Sequence, residues 1–260
     1  MSARTPLETG ESRPIAPGPS ATAPVLRVLA VGRVVVGALM VAAIGSQLVV
    51  SLGYWRRIGI HDVGLRIADF FSAFTHLGIL AGGTILIIGG ALLLRGTAAT
   101  PRWLTLLRLA VLPSILVAGI VYNLLLRPLP VPPGSQLDWA NEVMHVVAPI
   151  AVVLDWLIAP HPRRMRFRTA WVVAVFPLAW VAYTFLRGPL VPDEINRTAY
   201  FYPYGFLDPH AAGWSPVLRL VVELLAFAVI LGFAAVLAWR IEDRVGARRR
   251  RAGGSAVAEE

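Results

Sequence analysis

Residues 67–94 read Ile-Ala-Asp-Phe-Phe-Ser-Ala-Phe-Thr-His-Leu-Gly-Ile-Leu-Ala-Gly-Gly-Thr-Ile-Leu-Ile-Ile-Gly-Gly-Ala-Leu-Leu-Leu. Asp69 and His76 are its only ionisable groups, and both lie near one end. A bilayer core needs about 20 mostly apolar residues per helix, and this stretch exceeds that. Five more stretches do the same or come close: Leu26–Leu52, Trp103–Leu126, Leu137–Ala159, Thr169–Leu186 and Val217–Trp239. The Gly and Pro within them are tolerated in membrane helices. The fold class expected is therefore all-α, a polytopic membrane protein of six transmembrane helices.

Composition agrees. The 260 residues are 57% hydrophobic and only 15% charged, against about 25% charged in soluble domains, and the mean hydropathy is +0.67. A cytosolic enzyme and a disordered chain are both excluded on these grounds. The net charge of +9 comes from 24 basic residues, all arginine. They cluster between apolar runs, which points to a membrane surface and not to nucleic acid. Without cysteine there is no disulfide, thiolate metal site or Cys nucleophile.

Three parts follow: 1–24 as a disordered cytoplasmic tail rich in Ser, Thr, Pro, Ala and Gly, 25–242 as a six-helix transmembrane domain, and 243–260 as a basic disordered cytoplasmic tail. The first apolar run is too long for a signal-peptide core and is expected to stay in the mature protein. With the N-terminus inside, sixteen arginines fall on the inner side, and six on the outer side, namely Arg56, Arg57, Arg66, Arg127, Arg187 and Arg197. The positive-inside rule then puts both termini in the cytoplasm of a cell membrane and the 188–216 connection outside.

Polar groups inside the spans are costly and mark function. Asp69, Ser72, Thr75 and His76 lie on span two, Tyr122 and Asn123 on span three, Asn141, Glu142 and His145 on span four, Tyr183 and Thr184 on span five, and Glu223 on span six. Thr75 is eight residues past Ile67 and His145 eight past Leu137, each about 12 Å deep at the helical rise. Nearly all of this polarity falls in the outer half, which implies a polar cavity open to that face. Asp155, beside Trp156 near the inner interface, is the exception and reads as structural. Asn141 and His145 are spaced i, i+4, so the amide is expected to orient the imidazole. Pro149 cannot donate to the His145 carbonyl and should bend the helix there. On a continuous span two, Thr75, Gly78 and Gly82 form a small-residue stripe, while His76 shares the Asp69/Ser72 face. The aromatic run Tyr200-Phe201-Tyr202-Pro203-Tyr204-Gly205-Phe206 suits the lipid–water boundary, as a lid.

Three segments together resemble one family: Phe70-Phe71-Ser72-Ala73-Phe74-Thr75, then Asn141-Glu142-Val143-Met144-His145-Val146-Val147-Ala148-Pro149 with Asp155 beyond it, then Tyr202-Pro203-Tyr204-Gly205-Phe206-Leu207-Asp208. The chain is similar over residues 28–240 to the androgen-induced family of transmembrane threonine hydrolases, in its bacterial branch. The resemblance implies Thr75 as nucleophile and His145 as its partner, acting on a fatty acid ester. It departs from the family at Gly78-Ile79, where many relatives carry Ser-Asn.

The expectation is thus an intramembrane lipid-ester hydrolase with membrane lipids as partners and with no cofactor or metal. Asn141, Tyr202, Tyr204, Glu223 and Ser72 are its supporting residues. His76, Asp69 and Glu142 read as packing or interfacial groups. Two other readings stand beside it: an electron-transfer protein holding heme b between His76 and His145, and a non-enzymatic scaffold or transporter.

Overall fold

The computed structural model describes residues 23–97, 100–158 and 171–212. Among these the protein is helical, with no strand and a single isolated bridge between Asp193 and Thr198. The elements are α1 (Ala23–Arg57), α2 (Val63–Ser72), α3 (Phe74–Leu94), α4 (Arg102–Val121), α5 (Asp138–Glu142), α6 (Ala148–Ile158), α7 (Val172–Arg187) and the short α8 (Pro209–Ala212). α4 runs on into a π-turn at Tyr122–Leu126, and a second π-turn at Val143–Val147 joins α5 to α6. Five stretches are long and apolar enough to cross a membrane: Pro24–Arg57, Phe74–Leu94, Arg102–Leu124, Asp138–Ile158 and Val172–Leu190. This is a multi-pass membrane protein. The sixth expected span, Val217–Trp239, lies outside the described residues, as do Glu223, residues 1–22 and the 243–260 tail; Ala23 and Pro24, expected in the first tail, begin α1.

The outside of the bundle is apolar. Val28, Val31, Val35 and Leu39 recur at helical spacing along α1 and are all exposed, the reverse of what a water-facing helix would carry. The interior holds a fully buried set including Met40, Ile44, Ile79, Leu86 and Ile115. Glycine sets how close α1 and α3 come. A methyl on Gly37 would lie 2.5 Å from the Gly83 carbonyl oxygen, and one on Gly90 would lie 2.6 Å from that of Ala30. The two backbones therefore touch along several turns, as membrane helices do without a hydrophobic driving force between them.

One expectation is corrected. Residues 67–94 do not form a continuous helix but break at Ala73, whose ψ of 131° is extended. Side chains satisfy the backbone at the break. The Ser72 carbonyl accepts from Trp180 Nε1 at 2.8 Å, and the Ser72 hydroxyl donates to the Ala68 carbonyl. The Phe70 carbonyl accepts from the His76 ring at 2.7 Å and from the Ala73 N–H. An irregular turn at this depth is tolerated because it is buried in protein.

Candidate active site

The break makes Thr75 the second residue of α3, where a helix leaves its first N–H groups without intrahelical partners. The Thr75 N–H donates to the Tyr204 hydroxyl oxygen at 3.3 Å, and the Thr75 Oγ1 lies 3.4 Å from that same oxygen. One oxygen atom is thus met by both the hydroxyl and the amide of Thr75, at the positive end of a 21-residue helix. Burial pushes the Tyr204 phenol above its ordinary value, so it stays protonated at neutral pH and remains a donor. Thr75 itself is buried.

His145 sits in the middle of the second π-turn, a kind of distortion found frequently at functional sites. The cause is local. Pro149 has no N–H to give the His145 carbonyl. That oxygen instead accepts from the Asn123 side chain at 2.9 Å, while the Ala148 N–H reaches back to Val143. Asn123 also donates to the Gly119 carbonyl, competing with the α-helical ladder where α4 turns into its own π-turn. Gly119 lets the segments meet: a methyl there would lie 2.5 Å from the Pro149 ring.

The His145 ring is held on two sides. It stacks on Tyr122 with centroids 3.7 Å apart, and its Nδ1 lies 3.0 Å from the Asn141 carbonyl. A carbonyl only accepts, so Nδ1 carries the hydrogen and Nε2 keeps its lone pair. That is the tautomer a general base needs. The Asn141 amide does not orient the ring as its spacing suggested; it donates to the Tyr122 hydroxyl at 2.6 Å and so braces the stacking partner.

The remaining side chains of this end knit three segments together. Asp69 on α2 accepts from Arg187 at 2.6 Å and lies 3.3 Å from Arg66. Arg66 in turn reaches Asp193 in the 188–212 connection at 2.7 Å. Phe201 packs under both guanidiniums, 5.3 Å from Arg66 and 5.7 Å from Arg187. Glu194 accepts the backbone N–H groups of His61 and Asp62. The aromatic connection is therefore folded onto the bundle. Asp69 is a buried ion-pair centre, not an interfacial charge.

The predicted residues are placed as follows. Thr75 and Tyr204 are brought together. Ser72 is turned to Tyr183, whose hydroxyl lies 2.9 Å away. Tyr202 fills the space over Gly188, where a methyl would lie 2.5 Å from its ring. His76 stacks on Phe70 with centroids 4.0 Å apart. The break at Ala73 dissolves the face that a continuous helix would have given His76 with Asp69 and Ser72. Thr75 and His145 are not hydrogen-bonded to each other, but Ile79, one turn beyond Thr75, and Met144 share one apolar cluster. Trp180, Arg66, Arg187 and Asp193 had no signal in the sequence as partners of this site. For Asn123 the signal was Pro149, which announces a carbonyl in need of a donor. Among the described residues no group of three or more His, Asp or Glu is gathered as a metal site. No family model, curated protein or solved structure matches the chain.

Proposed function

We propose that the chain is an intramembrane hydrolase of lipid esters in a cell membrane, with Thr75 as nucleophile, His145 as base and both termini cytoplasmic. The observation that carries this reading is the Tyr204 oxygen held by the Thr75 N–H and lying beside Thr75 Oγ1, which marks a place next to the nucleophile where an N–H donor meets the oxygen of a carbonyl under attack. His145 Nε2 takes the proton of Thr75 Oγ1 as that oxygen attacks the ester carbon. The oxyanion is held by the Thr75 N–H at the helix terminus and by the Tyr204 hydroxyl, both in a site where such donors act strongly. Collapse expels the alcohol, which receives the proton from His145. Water then repeats the sequence on the acyl-threonine. Both Thr75–His145 approach and a shift of Tyr204 away from Thr75 accompany substrate entry, since apo geometry is commonly looser than the reacting one.

The test is hydrolysis of a panel of fatty acid esters by purified protein in mild detergent. Thr75→Val and His145→Ala should each lower the rate by about 10²–10⁴-fold, Thr75→Ser should retain part of it, and the double variant should be little worse than either single one. Full activity in Thr75→Val refutes the assignment.

One observation favours a second reading. His76 and His145 both place Nδ1 on a backbone carbonyl, the support that metal-ligating histidines usually have, which leaves two Nε2 atoms for a heme b. A stoichiometric Soret band lost in His145→Ala would establish it.

A further inference from the structure

At the end of the bundle opposite the site, Asp155 on α6 lies between two arginines from other helices. Its Oδ1 accepts from Arg33 Nε on α1 at 2.6 Å, and its Oδ2 accepts from Arg108 on α4. Both carboxylate oxygens are therefore engaged while two guanidiniums remain, so among the described residues the cluster holds one positive charge in excess. Buried charge that is left uncompensated is strongly unfavourable. Arg33 is 4% exposed, whereas the Arg108 side chain keeps 14% of its surface open. Next to them in sequence, Leu107 and Leu154 are both exposed on the apolar outside of the bundle.

Depth decides what can reach this charge. Asp155 lies three residues from the end of the apolar stretch Asp138–Ile158, and Arg108 six from the start of Arg102–Leu124, about 5 and 9 Å of helix. A long arginine side chain reaches the headgroup level from there, beside side chains that face acyl chains. A soluble anion would have to cross that apolar border, but a lipid phosphate is already there. Guanidinium donors suit a phosphate in geometry as well as charge.

We propose that Arg33, Asp155 and Arg108 form a binding site for the phosphate of an anionic membrane lipid, with its acyl chains against Leu107 and Leu154. Asp155 sets the orientation of both guanidiniums, and the lipid supplies the missing negative charge.

The experiment uses the full chain in mild neutral detergent. Its thermal unfolding is followed while phosphatidylglycerol, phosphatidylcholine with the same acyl chains, or inorganic phosphate is added. The wild type should prefer phosphatidylglycerol over phosphatidylcholine by about fivefold or more, the worth of one arginine near an anionic surface. Arg108→Gln leaves a neutral Arg33–Asp155 pair, so it should fold and lose that preference, and Arg108→Lys should keep most of it. Asp155→Asn raises the excess to two charges and should deepen the preference; if it does not fold, the Gln/Lys contrast at Arg108 decides. A wild-type preference that persists in Arg108→Gln, or no preference in the wild type, would overturn the site. Equal stabilisation by inorganic phosphate would overturn the lipid as its source.

Discussion

At the site end of the bundle, Arg66 and Arg187 share two carboxylates, Asp69 and Asp193, and Phe201 lies beneath both guanidiniums. At the other end, Arg33 and Arg108 share one, Asp155. The first network is balanced and joins α2, α7 and the 188–212 connection, so it fixes where Tyr204 stands. The second is unbalanced and joins α1, α4 and α6 without any loop. A balanced network can be buried and closed by the chain alone, whereas an unbalanced one draws on its surroundings.

The largest effect expected is at the unbalanced end. Asp155→Ala strands two buried guanidiniums and should cost about 3–5 kcal/mol of stability, read from unfolding in detergent. Asp69→Ala should cost less, about 1–3 kcal/mol, because Asp193 still serves Arg66 and only Arg187 loses its carboxylate. The reverse order would undo the comparison. Next comes the site end's own backbone. Asn123→Ala leaves the His145 carbonyl without its donor and should cost about 1–3 kcal/mol. It should also speed amide exchange through residues 143–148 and slow ester hydrolysis. Between the two ends, Gly37→Ala meets the Gly83 carbonyl head on and should cost about 1–3 kcal/mol. Gly78→Ala, whose methyl would meet only Phe176 at 3.8 Å, should be close to neutral and is the control. The smallest effect belongs to Glu142→Gln. Its pair with Arg127 is about half exposed on both sides, and salt screens such a pair. No change in melting temperature should be measurable at physiological ionic strength.

Hydropathy made five of the spans legible because apolar runs are local: every residue of 74–94 reports the same environment. That the His145 carbonyl lacks its helical donor was legible for the same reason, since the missing N–H of Pro149 is a property of one residue. What answers that carbonyl was not. Asn123 is 22 residues from His145 in sequence, and nothing nearby distinguishes it from any other polar residue in a span. The break at Ala73 was hidden more thoroughly. No glycine or proline stands within four residues of it, and the groups that satisfy its carbonyls are His76 and the distant Trp180. Asp69 looked interfacial because Arg187 is 118 residues away. Polar residues in the sequence thus located the site end, but only tertiary contacts say which of them meet.

The two π-turns have a consequence for how this chain tolerates change in length. Each winds its hydrogen bonds over five residues in place of four, so each holds about one residue more than a plain helix of the same height. That surplus is absorbed where it occurs, which leaves α6 in phase with α5. A residue deleted from 143–147 can heal into a regular helix with the segments on either side unturned. The same deletion within 148–158 has no slack to draw on and would swing the rest of the helix about 100° around its axis, carrying Asp155 away from both of its arginines. Single-residue gaps, ordinarily confined to loops, are therefore admissible in the middle of one membrane helix, Asp138–Ile158, and at the end of another.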